Sequence, residues 1–176
     1  MPDSPPTKMI RARLAVIACS ILGLALAGLN SAIARFSIIL RDRARSEITD
    51  PENGIVAHSF ERLMGNVFAN AVVAVFPPAI SVIYGLALVL CTKWLREKGF
   101  YYGAMQLILG LFMVVTGAYL AFNVRGFQSS FARMQGDDRI PYYAIMYYGG
   151  VGEAASGALV IFMFLGTVLL ALVFGG

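Results

Sequence analysis

Four stretches of this chain are long, apolar and free of charge. Leu14 to Ala34 covers 21 residues, Leu63 to Thr92 covers 30, Gly99 to Val124 covers 26 and Ala154 to Gly176 covers 23. A bilayer core about 30 Å thick is crossed by roughly 20 helical residues rising about 1.5 Å each, so each stretch is sufficient. No water pairs with the backbone inside lipid, so a crossing segment must satisfy its own amides, and the helix does so. The sequence therefore predicts an all-α membrane protein. Its expected form is an antiparallel four-helix transmembrane bundle with a helical extramembrane hairpin between helices 1 and 2. The spans fall at about 12–34, 63–92, 100–124 and 150–174 and the hairpin at about 35–62, within one integral membrane domain covering 1–176.

Composition narrows the partners. Hydrophobic residues make up 59% and charged residues 14%, against roughly 45–50% and 25% in soluble domains. The net charge of +4 comes from Lys and Arg at the ends of apolar runs, with no basic run of five. That distribution suits membrane insertion and predicts no nucleic-acid partner. The lipid bilayer is the expected partner, with a membrane-protein partner or a second copy of the chain as further candidates.

The chemical inventory is thin. Cys19 and Cys91 belong to no CxxC or Cys/His constellation and read as small apolar side chains, Cys91 with the alternative of S-palmitoylation near Lys93. His58 is the single histidine and reads as a surface residue of the hairpin. No zinc spacing, GxSxG or phosphate-binding loop occurs, so no metal, cofactor or catalytic residue is expected. Lys8, Arg11 and Arg13 precede the first apolar run, and Ala32-Ile33-Ala34 resembles a signal cleavage site. The run is longer than the roughly 7–15-residue core of a signal peptide, so a retained anchor is expected, with a mature start at Arg35 as the alternative.

An even number of spans puts both termini on one side. Lys8, Arg11, Arg13, Lys93, Arg96 and Lys98 lie there, against Arg35, Arg41, Arg43, Arg45, Arg62, Arg125, Arg133 and Arg139 opposite. Lys and Arg counts alone do not orient the chain. All the lysines share the terminal side, where fewer carboxylates offset them, so cytoplasmic termini are expected. Asp50-Pro-Glu-Asn-Gly54 signals a turn, with Gly54 supplying a left-handed backbone. Lys93 to Lys98 reads as a tight basic turn between the second and third spans. Pro77-Pro78 predicts a kink or local unwinding inside the second. Trp94, Phe100, Tyr101 and Tyr102 read as one interfacial aromatic belt, and Phe127, Phe131, Tyr142, Tyr143, Tyr147 and Tyr148 as the other.

Glu153 is the residue of greatest chemical interest, because an acid deep in a membrane helix costs a few kcal/mol and usually marks function. A crossing from Ala154 to Phe174 leaves it at the outer interface. A crossing from Ala144 would bury it about 13–15 Å down but would strand Leu165–Phe174 in water, so the interfacial position is expected. Asn30, Asn66, Asn70, Asn123, Arg125 and Glu153 all fall towards the same leaflet. A polar vestibule formed by Asn66, Asn70, Asn123, Arg125 and Glu153, with Arg125 paired to Glu153, competes with ordinary interhelical hydrogen bonding. Gly103, Gly110 and Gly117 recur every seven residues, a spacing that keeps them near one face for close helix approach.

The plan of four spans, inside termini and a longer first outer loop is similar in architecture to the MARVEL and claudin-type tetraspan families. The Gly-Leu-Trp and paired cysteines of a claudin-type loop are absent from Arg35 to Arg62. The expected function is non-catalytic: organising membrane, or binding and escorting a partner protein. The alternatives are a small transporter, channel or accessory subunit, and then a membrane-embedded enzyme using Glu153 on a lipid-soluble substrate.

Overall fold

The computed structural model describes residues 5–48, 54–90, 92–134 and 141–174, and every element among them is a helix. These are α1 Pro5–Glu47, α2 Gly54–Leu90, α3 Thr92–Arg125, α4 Gln128–Met134 and α5 Tyr142–Phe174. All but α4 are long and apolar enough to cross a membrane, with qualifying segments Arg13–Glu47, Gly54–Leu90, Tyr101–Arg125 and Tyr142–Gly166.

Local chemistry explains the lengths. Arg35 to Glu47 contains no Gly or Pro, so α1 continues beyond its apolar run. Its serines turn their hydroxyls back onto the helix: Ser20 Oγ donates to Val16 O and Ser31 Oγ to Ala27 O, both at 2.8 Å. That pairing lets a hydroxyl sit among apolar neighbours. At the start of α2, a Cβ on Gly54 would lie 2.7 Å from Ile48 O. Glycine is needed there for close approach of Ile48, just past the end of α1, and not for the left-handed backbone the turn signal suggested; the rest of that turn lies outside the described residues.

Two expectations about the chain path are corrected. Lys93–Lys98 is not a turn: α3 begins at Thr92, immediately after α2 ends at Leu90 and residue 91. Trp-Leu-Arg-Glu-Lys contains no breaker before Gly99, so helix propensity carries through it. Pro77 and Pro78 do not unwind α2, which stays helical from Gly54 to Leu90 with both rings buried. Their missing amides leave the carbonyls one turn earlier without their usual donors. Here α1 comes close, since a Cβ on Gly23 would lie 3.1 Å from Pro78 O.

Among the long helices, α1 packs against α2, α2 against α3 and α3 against α5. Gly23 lies against Pro78 and Ser20 against Gly85, while Arg45 Nε meets Glu61 Oε1 at 2.6 Å. Asn70 reaches Thr116, Ser81 pairs with Gln106, and the rings of Tyr84 and Tyr102 stack. Between α3 and α5, Gly103 meets Phe164, Gly110 meets Gly157, and Gly117 meets Gly150. Phe36 against Tyr142, with ring centroids 5.2 Å apart, brings α5 back to α1.

The larger apolar core gathers at the end holding the α1–α2 connection. It contains Leu40, Ala44, Ala57, Phe60, Met64 and Phe131, among others. The unforeseen helix α4 supplies Phe131, whose ring meets Phe60 edge-on at 5.0 Å. Glu47 Oε2 pairs with Arg133 at 3.1 Å, and Arg43 donates to Met134 O, tying α4 to α1. Phe131 and Tyr142 are therefore core residues and not interfacial anchors, because α4 folds back over α1 and α2. Tyr148 remains exposed.

Glycine contacts give a direct test. A Cβ on Gly117 would lie 2.5 Å from Gly150 O and 2.6 Å from Ala154 N, whereas one on Gly28 meets nothing within 4 Å. Gly117→Val should lower stability by roughly 1–3 kcal/mol through overpacking, while Gly28→Ala should be neutral or stabilising by up to about 1 kcal/mol. Thermal unfolding of both variants in detergent reads the difference.

The ion pair gives a second. The hydrogen bond from Arg45 holds the Glu61 carboxyl below its usual range, and attraction to Arg45, His58 and Arg41 adds to this against desolvation. A carboxyl that titrates lower when folded contributes its stability above the unfolded value and loses it as pH falls through the folded one. Acidification should therefore lower hydrogen-exchange protection factors across 41–47 and 54–62, and Glu61→Gln should remove that part of the pH dependence. The effect should be small, as expected of an exposed pair.

Candidate functional site

Each long helix contributes one polar side chain to a single level of the structure: Asn30 from α1, Asn70 from α2, Thr116 from α3 and Glu153 from α5. The Thr116 hydroxyl donates to Glu153 Oε1 at 2.6 Å. Asn70 Nδ2 donates to the Thr116 backbone oxygen at 3.2 Å. The Asn30 carboxamide is directed at the same carboxyl without closing a hydrogen bond of ordinary geometry. Glu153 is 1% exposed and Asn30 fully buried.

Glycine puts the acid there. Gly117 and Gly150 let the α3 and α5 backbones touch, and a Cβ on Gly117 would lie 3.1 Å from Glu153 Cβ. The carboxyl thus faces inward, next to Thr116. Glu153 Oε2 and both polar atoms of Asn30 have no hydrogen-bond partner among the described residues. Buried polar atoms are normally paired, so this layer holds unused hydrogen-bonding capacity. No cation pairs with the carboxyl among the described residues, which leaves the Thr116 hydroxyl as the hydrogen bond it receives there.

The predicted site residues separate. Glu153 does not pair with Arg125, which is exposed at the end of α3, nine residues or about 13 Å of helix rise beyond Thr116. Asn123 donates to Tyr119 O of its own helix at 2.8 Å. Asn70 and Glu153 are brought together through Thr116, and Asn66 is exposed on the α2 surface alongside. Sequence reasoning omitted Thr116, because a threonine within an apolar run carries no signal until its neighbour is known. His58 is exposed in the first turns of α2, 3.6 Å from Glu61 Oε2.

Two spaces adjoin the layer. A groove of about 360 Å³ opens on the surface between α2 and α3, lined by Asn66, Ala69, Asn70, Val73, Phe112, Thr116 and Tyr119. Further along the bundle, a cavity of about 10 Å³ touches Gly23, Pro78, Ser81, Gln106, Met113 and Val160. Gln106 Nε2 donates to Ser81 Oγ there, and both residues are buried.

Comparison with protein-family models, curated proteins and solved structures finds no match.

Substitution separates charge from hydrogen bonding in the layer. Glu153→Gln keeps the shape, and its amide can donate to Thr116 Oγ1 while that hydroxyl donates to Phe112 O, 3.0 Å away. It should melt at or above the parent temperature. Thr116→Val removes the only hydrogen bond that Glu153 makes among the described residues and should cost roughly 1–3 kcal/mol. Thermal unfolding in detergent ranks the two.

Proposed function

We propose that this chain is a non-catalytic multi-pass membrane protein. In this reading it is an antiparallel four-helix transmembrane bundle with both termini cytoplasmic and a helical cap on the opposite side. Its work is binding: organising membrane lipid, or holding and escorting a partner protein.

The narrow space beside Pro78 carries this reading. A transport path past Pro77 and Pro78 needs continuous space, and the cavity at that level is about 10 Å³, close to the least volume that holds one water. The cap supports it further, because Arg41, Arg45, His58 and Arg62 give the hairpin a polar surface over a packed apolar core. A second reading, a small transporter or accessory subunit, draws on the buried carboxyl of Glu153 and the unpaired Asn30. Intramembrane acids with unused partners are a recurrent feature of ion and proton pathways.

Two measurements on the purified full chain decide between them. Affinity purification in mild detergent should retain a partner protein or lipid at constant stoichiometry through successive washes. Liposomes containing the chain alone should match protein-free liposomes in proton and sodium flux. Flux above that baseline, abolished by Glu153→Gln, would overturn the non-catalytic binding reading in favour of transport.

A further inference from the structure

Three helices bring oxygen-bearing side chains to one buried point: Asn30 from α1, Thr116 from α3 and Glu153 from α5. The Asn30 carboxamide is fully buried and faces the carboxyl of Glu153, itself 1% exposed. Neither Asn30 Oδ1 nor Glu153 Oε2 has a hydrogen-bond partner among the described residues. Buried oxygens normally have one, and an ion is one of the partners that leaves two facing acceptors unbonded to each other. The surroundings hold these oxygens in place. Thr116 Oγ1 donates to Glu153 Oε1 at 2.6 Å and keeps lone pairs of its own. Asn70 secures the Thr116 backbone at 3.2 Å.

The donors specify the ion. A carboxyl, a carboxamide and a hydroxyl are hard oxygen ligands, and no Cys or His accompanies them to favour a transition metal. Within four residues of Asn30, Asn70, Thr116 or Glu153 along the chain there is no Lys, Arg, His or Asp, and no second Glu. One carboxylate balances one positive charge. A divalent ion would leave a net charge in an apolar interior, and an anion would add to the one already there. Space beside the acid is restricted, since a Cβ on Gly117 would lie 2.5 Å from Gly150 O. That favours a small ion over a large organic cation.

We propose that Glu153 Oε2, Asn30 Oδ1 and Thr116 Oγ1 bind one sodium ion. The ion ties α1 to the α3–α5 pair and turns a buried acid into a neutral centre. It is a resident of the fold and requires no flux, so the site goes beyond the binding reading without depending on it.

The test follows thermal unfolding of the purified full chain in detergent, at one ionic strength, in sodium, potassium or N-methylglucamine chloride. Sodium should raise the midpoint saturably, by about 3–6 °C at about tenfold excess over its dissociation constant. Potassium should raise it less and N-methylglucamine not at all. Radioactive sodium should bind the parent chain at one ion per chain. Glu153→Gln, which keeps the shape without the charge, should melt alike in all three salts and bind no sodium. Asn30→Leu should weaken binding by about tenfold or more. Asn123→Ala, at an exposed side chain that bonds its own helix, should keep the full response. Equal midpoints for the parent in all three salts, or a sodium response that survives Glu153→Gln, would overturn the proposal. A midpoint that follows pH and ignores the cation would do the same and give the carboxyl a proton in place of sodium. Absence of radioactive sodium from the parent decides against the site whether or not the variants fold. Liposome flux is read separately: a chain that binds sodium without conducting it satisfies both this proposal and the binding reading.

Discussion

Contact between backbones at glycine holds the α3–α5 pair together. Lipid tails are as apolar as leucine, so burying leucine between two membrane helices gains little over leaving it in lipid. Cohesion must come from close packing, which requires removing side chains from the seam. Gly110 against Gly157 and Gly117 against Gly150 do this at seven-residue spacing, two turns apart. The same contact fixes the rotation of α5, and with it the inward direction of Glu153. The α1–α2 pair uses a comparable device at Gly23 against Pro78 and Gly85 against Ser20.

A different force operates at the capped end. There α1 and α2 extend beyond their charge-free runs, and Phe60, Phe131, Leu40 and Met64 are removed from solvent. Where that solvent is water, each such side chain contributes roughly 1.5–3 kcal/mol. Ion pairs at the surface, Arg45 with Glu61 and Arg133 with Glu47, set the register of the segments more than they stabilise them. Two kinds of contact thus run along the same helices, large apolar side chains packed near the α1–α2 end and backbone contact at glycine further along. Glu153 and Asn30 lie close to where one gives way to the other.

That junction explains how polar groups persist among apolar helices. Thr116 serves both sides: its hydroxyl reaches inward to Glu153, and its backbone oxygen receives Asn70 from the groove wall. One threonine therefore links a buried carboxyl to a surface groove. Further along, a small cavity adjoins Pro78, and Gln106 donates to Ser81 beside it.

The four long apolar helices and the glycine spacing were legible in the sequence, because backbone satisfaction in lipid and the helical repeat are properties of local sequence. Asn66, Asn70 and Glu153 were also recognisable as polar residues at unusual positions. Their partners were not. Pairing Arg125 with Glu153 followed from their nearness to the ends of adjacent runs, yet the heptad contact of α3 with α5 puts Thr116 opposite the acid and leaves Arg125 beyond it. The helix α4, the burial of Phe131 and the unbroken passage of α2 through Pro77-Pro78 likewise depend on residues distant in the chain. Sequence by itself determined which long apolar runs become helices; only tertiary packing decided which side chains meet, since that depends on how each helix is rotated against neighbours that no local pattern specifies.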